Sequence, residues 1–406
     1  MSATPSRPSY AALLRIPHAR RTFATALLGR LSYGMVSLAV LLAVDRATGS
    51  YAAAGTVLAL FGATSVFLSP ARAALVDRHG PRRALLPMAV LYAVLLTALA
   101  LVSRPPGASA TLLGAVAAVA GACTPPLGPT MRAVWGELAQ DPGMLRRAYS
   151  LDGVAEELLF VSGPLVVGGV VQVAEPAVAV AVSALLVASG TCGFVASPVV
   201  ARVPGAARKP GDRAPRVSTG ILPPVALAAG VGLSIGALDL LVLAFAEGHG
   251  HGDDAVAWVF AALSAGSAVG GLVNGAVEWR AGAGTRLSLL AAGLGIALAC
   301  AGLAPGLGAL IGVVVCAGFF IAPALTTAYL FADECAAPGT RVRAGAWVNT
   351  AVNAGTATGT AAGGLLVGRL PVGLCFAAAG GVALFAAAAV AVGVRQPSTP
   401  ELSERR

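Results

Sequence analysis

Long apolar runs, separated by short polar or glycine- and proline-bearing stretches, recur along the whole chain. A helix needs about 20 mainly apolar residues to cross a bilayer. On that measure the pattern predicts twelve spans, at 22–44, 52–75, 84–103, 110–132, 153–174, 176–199, 221–246, 255–277, 286–305, 308–331, 345–367 and 371–394. The longest polar interruption, Ala201 to Gly220, carries Arg202, Arg208, Lys209, Arg213 and Arg216 with three prolines. It predicts a linker over 201–220, between a six-helix bundle in 1–200 and a second bundle with a polar tail in 221–406. The expected fold class is all-α integral membrane, with twelve transmembrane helices in two six-helix bundles.

Composition supports that reading and narrows the partners. Of 406 residues 57% are hydrophobic and 11% charged, and mean hydropathy is +0.82, whereas soluble domains carry about 25% charged residues. Lipid solvates an apolar exterior that water would not. A net charge of +9 suggests nucleic acid until the charges are placed. With a cytoplasmic N-terminus, all of the 27 Lys and Arg except Arg30, Arg46, Arg104 and Arg369 fall in inner loops, inner helix ends or tails. That is the positive-inside asymmetry. It predicts a multi-pass protein of the cell (inner or plasma) membrane with both termini cytoplasmic and no nucleic-acid partner. Arg20-Arg21 before an apolar run resembles a twin-arginine export signal, but no small-residue cleavage site follows, so the first helix is expected to remain. Cys123, Cys192, Cys300, Cys316 and Cys375 fall in apolar runs and Cys335 in a loop, without metal-like spacing. They are expected to be small buried hydrophobes.

The chain also repeats. A shift of 196 residues aligns Pro142-Gly143 with Pro338-Gly339, Arg147 with Arg343, Glu137 with Asp333, Gly163 with Gly359 and Gly168 with Gly364. The halves are thus related in parallel, a relation known from one transporter architecture in which substrate sits near mid-membrane.

The segment between the second and third runs reads Ala73-Ala74-Leu75-Val76-Asp77-Arg78-His79-Gly80-Pro81-Arg82-Arg83. With the repeat, it makes the chain resemble the major facilitator superfamily over essentially its whole length. The family pattern there is G-x-L-a-D-r-x-G-r followed by Lys or Arg. This chain departs from it at Ala73 and Pro81. Gly80 and Pro81 predict a tight turn, and Arg78, Arg82 and Arg83 anchor the inner face. The resemblance implies that Asp77 interacts with the inner end of span eleven and helps hold an outward-facing state. The alternative is a solvated turn whose charges only set topology. Gly163-Pro164-Leu165-Val166-Val167-Gly168-Gly169 is similar to the G-P-x-x-G-G core of drug antiporters. One extra residue intervenes, and Leu159 stands where a glycine would. Gly163, Pro164 and Gly168 equally suit close helix packing.

Charges within apolar runs are costly and point to function. Arg30 in span one and Glu156-Glu157 in span five qualify. Arg30 lies 9 residues past Arg21, Glu157 10 past Arg147, and Asn353 10 past Arg343, so all three sit roughly 15 Å deep. Gly153, Glu157, Pro164 and Gly168 share one helical face, answered in span eleven by Asn349, Asn353, Thr356, Thr360 and Gly364. The resemblance makes spans one and five neighbours and sets five and eleven beside a central cavity, so an Arg30–Glu157 pair is plausible. Burial and a nearby arginine act on a carboxyl in opposite directions. Glu157, with Glu156 and Arg30, is therefore expected to couple proton entry to substrate export, against the alternative of a static ion pair.

Tyr33 and Trp347 could stack an aromatic or cationic substrate, Trp347 equally suiting an interfacial belt. Asp239 could gate the outer mouth or bind a cation, or simply be a solvated helix end. Tyr33, Asn349, Asn353, Thr356 and Asp239 are the candidate substrate-cavity residues. His249-Gly250-His251-Gly252-Asp253-Asp254 looks metal-like but reads as a solvated loop, so no metal is expected. There is no nucleophile arrangement and no Walker-type lysine, Lys209 being the single lysine. No enzyme activity and no cofactor are expected. The expected function is proton-coupled efflux of a small amphipathic molecule by alternating access. The alternatives are a sugar or metabolite exporter, or a non-transporting membrane sensor or scaffold on the same fold. The expected partners are a small-molecule substrate, protons and membrane lipid, and the chain is expected to be a monomer.

Overall fold

The computed structural model describes residues 9–139, 141–203, 205, 219–250 and 252–395. Most of the predicted linker, with Arg208, Lys209, Arg213 and Arg216, lies outside these residues, as does His251. The described chain is helical, and it clusters into two compact units. One comprises Met1–Thr219, Gly271–Val277 and Ala332–Thr350, and the other Gly220–Gly270, Glu278–Phe331 and Ala351–Arg406.

In the first unit the helices are α1 (Tyr10–Arg15), α2 (Ala19–Thr48), α3 (Tyr51–Phe67), α4 (Ser69–His79), α5 (Pro81–Val102), α6 (Ala110–Cys123), α7 (Leu127–Leu138), α8 (Pro142–Val171), α9 (Pro176–Val195) and α10 (Pro198–Arg202). Local chemistry sets their ends. Ser9, Ser50, Ser109 and Asp141 each accept an N–H of the first turn of α1, α3, α6 and α8, satisfying donors that a helix start leaves open. Gly80, at φ 81°, turns the chain between α4 and α5, where Pro81 opens the new helix without needing its missing N–H.

Two expected spans are broken. Span two is α3 and α4, bent by 41° at Leu68, just ahead of Pro70. Span four is α6 and α7, interrupted at Thr124-Pro125-Pro126, where consecutive prolines remove two backbone donors.

The second unit is built from α11 (Leu222–Gly248), α12 (Asp253–Ala276), α13 (Ala283–Ala301), α14 (Leu307–Cys335), α15 (Arg341–Val367) and α16 (Val372–Arg395). The last residues of α12 and α14 and the start of α15 cluster with the first unit. Among the described residues ten helices are long and apolar enough to cross a membrane, or eleven with α3 and α4 counted together. The helix beyond these is α15, 27 residues long and diluted by Asn, Thr and Gly. Every predicted span thus has its helix or broken pair.

Helices associate in lipid through close packing rather than hydrophobic collapse, so small residues mark the contacts. A Cβ on Gly163 of α8 would strike the backbone of Gly34 on α2, and one on Gly359 of α15 would strike the Leu233 carbonyl on α11. The repeat-related pair therefore makes the same kind of crossing in each unit. Gly168 differs: a Cβ there meets nothing within 4 Å, so the packing expected of it falls to Gly163 instead. Large side chains such as Leu91, Leu101, Leu158 and Leu165 are exposed, a surface suited to lipid. The cysteines correct another expectation. Cys375 is buried, but Cys192, Cys300 and Cys316 are exposed on apolar helix surfaces, and Cys335 ends α14 rather than lying in a loop.

Candidate functional site

Within the first unit α2, α7 and α8 converge on four charged side chains. Asp152 and Glu156 stand four residues apart on α8 and so share a face. Arg30 of α2 lies 2.7 Å from Asp152 through Nη1 and 3.0 Å from Glu156 through Nη2. Arg132 of α7 lies 3.1 Å from Asp152 through Nε, and its Nη2 meets the same Glu156 Oε2. Two cations and two carboxylates thus close a ring with no net charge. Arg30, Arg132 and Asp152 are 2%, 5% and 0% exposed, whereas Glu156 is 28% exposed. Gly128, in the first turn of α7, borders the ring: a Cβ there would make ordinary contact, 3.8 Å from both Arg132 Nη1 and Glu156 Oε1, and 3.9 Å from Arg30 Cζ.

The carboxylates at ion-pair distance from Arg30 are therefore Asp152 and Glu156, rather than the expected Glu157. Positions 152 and 156 face α2 and α7, and Glu157, half-buried, is turned about 100° further round the helix. Asp152 and Arg132 were missed because they sit at the edges of the expected spans 153–174 and 110–132. The discoverable signal was their spacing: an acid four residues before Glu156, and an arginine six residues after a Pro-Pro break.

Arg72 is a further buried charge, inside the expected 52–75 run yet not singled out there. It is 6% exposed. Its Nη1 donates to the carbonyls of Gly121 (2.7 Å), Ala122 (3.1 Å) and Thr64 (3.4 Å), and its Nη2 to that of Ser65. These are last-turn carbonyls of α3 and α6, so one guanidinium caps the negative ends of both broken helices. Tyr33, half-buried, donates to the Pro125 carbonyl at 2.6 Å and meets Tyr92 edge-on.

At the end of the unit that carries Asp77, that carboxylate accepts the N–H groups of Val342 (3.1 Å) and Arg343 (2.9 Å), in the first turn of α15. Arg78, Arg82 and Arg83 are exposed around the Gly80 turn. Arg341 lies 3.6 Å from Glu137 and 3.4 Å from Asp333, the two acids that the 196-residue shift aligns. Tyr10 donates to the Leu272 carbonyl at 2.7 Å. Burial pushes its hydroxyl pKa up, the Arg147 charge opposing, which keeps the donor protonated.

On α15 Asn349 and Thr356 are half-buried and Asn353 and Thr360 exposed. Thr360 donates to the Gly236 carbonyl of α11 at 3.0 Å, which ties that end of the stripe to helix packing. Asp239 is half-buried on α11, and Pro164 sits inside α8. Among the described residues no group of three or more His, Cys, Asp or Glu could hold a metal ion. His251 and the side chains of Asp253 and Asp254 lie outside them.

Comparison with known proteins places this arrangement. The sequence matches the Major Facilitator Superfamily over residues 22–238 and again over 225–406. None of the curated proteins matches it. Among solved structures, the fold is similar to that of the human organic anion transporter MFSD10 (TETRAN), with a TM-score of 0.68 and 16% identity over 91% of this chain and 99% of that one. It is similar also to a bacterial homologue of the iron transporter ferroportin in an outward-facing state, with a TM-score of 0.63 and 14% identity over 92% and 97% of the two chains.

Proposed function

The chain belongs to the major facilitator superfamily, and from that premise we propose that it exports a small amphipathic molecule across the cell membrane by proton-coupled alternating access. The membership itself makes it a multi-pass membrane protein and sets it with transporters rather than enzymes. Coupling, direction and cargo are our reading.

One observation carries the proposal: Glu156 contacts both arginines through Oε2 and its side chain is 28% exposed, while that of the other carboxylate, Asp152, is 0% exposed. A proton arriving at Glu156 leaves two arginines facing one carboxylate in a poorly solvated place. At this partly exposed position the loss of the charge partner costs about 1–3 kcal/mol. That cost is enough to bias a two-state equilibrium by about one to two orders of magnitude, in the direction coupling requires. Asp152 serves as the fixed counter-charge. Glu157, one residue on, remains a candidate relay between Glu156 and solvent.

Asp77 supplies the second element. A carboxylate on the first-turn N–H groups of α15 suits the helix dipole, and the contact can form in one conformation and break in the other. A static ring would hold the helices together without titrating, and a sensor or scaffold has no use for a half-exposed member. Tyr33, Asn349, Asn353, Thr356 and Asp239 are the proposed substrate-contacting groups. They offer an aromatic face, amides and one acid, as suits a small amphipathic or cationic cargo.

Inverted membrane vesicles offered a panel of amphipathic cations, amphipathic anions and sugars test this, with substrate uptake and proton flux read together. Uptake of a member of the amphipathic sets, with counterflow of protons, is expected. Sugar uptake without proton movement would replace the proposal with a facilitative sugar exporter. Silence across the panel, with correctly inserted protein, would favour the sensor.

A further inference from the structure

Two clefts in the first unit share a wall. One, about 440 Å³, runs along Leu75 of α4 and Pro87, Met88 and Leu91 of α5. The other, about 710 Å³, is lined by Arg82 and Arg83 beside the Gly80 turn, and by α10 and the backbone after it. His79 and Arg83 belong to both linings. The first is thus an apolar channel that ends on the basic mouth of the second, and among the described residues neither lining holds an acid.

The dimensions follow from the helix. Met88 and Leu91 lie 5 and 8 residues beyond Arg83, which places them about 8 and 12 Å deeper along α5. Leu75 and Leu91 are 45% and 49% exposed, so the channel opens on the surface of a membrane protein, where acyl chains are its neighbours. Basic pockets at the polar ends of membrane helices select anionic head groups, and the N-terminus of α5 adds its own partial positive charge.

We propose that this composite cleft binds an anionic phospholipid, with its phosphate against Arg83, Arg82 and His79 and one acyl chain along Leu75, Met88 and Leu91. The lining carries four basic side chains, Arg72, His79, Arg82 and Arg83, and no acid, which selects a negative head group over a zwitterionic one. The 440 Å³ apolar channel has no use for a soluble anion. The chain's own segment after Gly205 is a poor occupant, since Arg208, Lys209, Arg213 and Arg216 repeat the charge of the mouth. The inference needs only the membrane assignment and stands apart from the transport reading.

Native mass spectrometry of the full chain in mild detergent tests it, with titration of dioleoyl phosphatidylglycerol, dioleoyl phosphatidylcholine or inorganic phosphate. Phosphatidylglycerol should be retained in preference to phosphatidylcholine. Arg83→Gln should weaken that retention about five-fold. Met88→Trp, which fills the channel without touching charge, should abolish it, and Leu75→Trp does the same from an exposed wall should the first variant fail to fold. Arg20→Gln, on exposed α2 surface, should change nothing. Equal retention of the two lipids, or phosphatidylglycerol binding that ignores both Arg83→Gln and the tryptophan variants, overturns the proposal. Full competition by inorganic phosphate overturns it in favour of a soluble-anion site.

Discussion

Asp152 and Glu156 face the same two guanidinium groups from successive turns of α8, yet losing their charges should have different consequences. Asp152 is fully buried, so Asp152→Asn strands half of a cation pair where water cannot reach it. It should cost about 3–5 kcal/mol, read as a large drop in the thermal unfolding midpoint in detergent. Glu156→Gln keeps a hydrogen-bonding group at a half-open position, and should cost about 1–3 kcal/mol while removing the titratable site. Equal midpoints for the two variants would show that burial does not separate their roles. The glycines of α8 give a second contrast. Gly163→Ala drives a methyl into the Gly34 backbone and should cost about 1–3 kcal/mol. Gly168→Ala meets open space and should be neutral within about 1 kcal/mol. Arg30 and Glu156 were visible in the sequence because charges stand out inside apolar runs. Asp152 and Arg132, which complete the ring, were not, since which face of α8 meets α2 depends on the Gly34–Gly163 crossing rather than on any local signal.

The broken helices raise the question of what holds their ends in an apolar setting. The bend at Leu68 and the break at Thr124 both leave last-turn carbonyls open, and Arg72 answers both at once. Arg72→Met keeps the stem and removes the donors. It should destabilise the fold by about 2–4 kcal/mol and free the end of α6, so that maleimide labels half-buried Cys123 several times faster than in the parent. Unchanged labelling and stability would mean that other groups hold the two ends. The caps at α15 make a parallel prediction. Asp77→Ala removes the acceptor for the Val342 and Arg343 N–H groups. It should speed amide exchange at those two residues about five- to thirty-fold, in keeping with about 1–2 kcal/mol for a partly buried charge at a helix start. The twelve apolar runs were legible because span length and hydropathy are local. The breaks were less so, although Pro70 and Pro125-Pro126 mark them. The capping arginine escaped notice because its acceptors, the carbonyls of Thr64, Ser65, Gly121 and Ala122, are main-chain atoms that no side-chain pattern reports.

At the scale of the whole chain, the described residues cluster into two compact units, and repeat-related residues keep related tasks. Gly163 and Gly359 carry helix crossings, and Glu137 and Asp333 meet the one Arg341. The charged ring has no such counterpart. The 196-residue shift carries Asp152 to Val348 and Glu156 to Val352, so the proposed proton chemistry draws on the first unit alone. The topology proposed from the arginine distribution has both termini in the cytoplasm. Single cysteines introduced near Arg104 should react with impermeant maleimide added outside intact cells, and those near Arg82 only after permeabilisation. The reverse pattern would invert the direction of transport argued here. The central claim is that Glu156 makes transport proton-driven. Purified protein in liposomes, given a transported substrate and an imposed pH gradient, addresses that most directly. The parent should accumulate substrate against its gradient, and Glu156→Gln should still exchange substrate at equilibrium but no longer accumulate it. Undiminished accumulation by Glu156→Gln would contradict that claim.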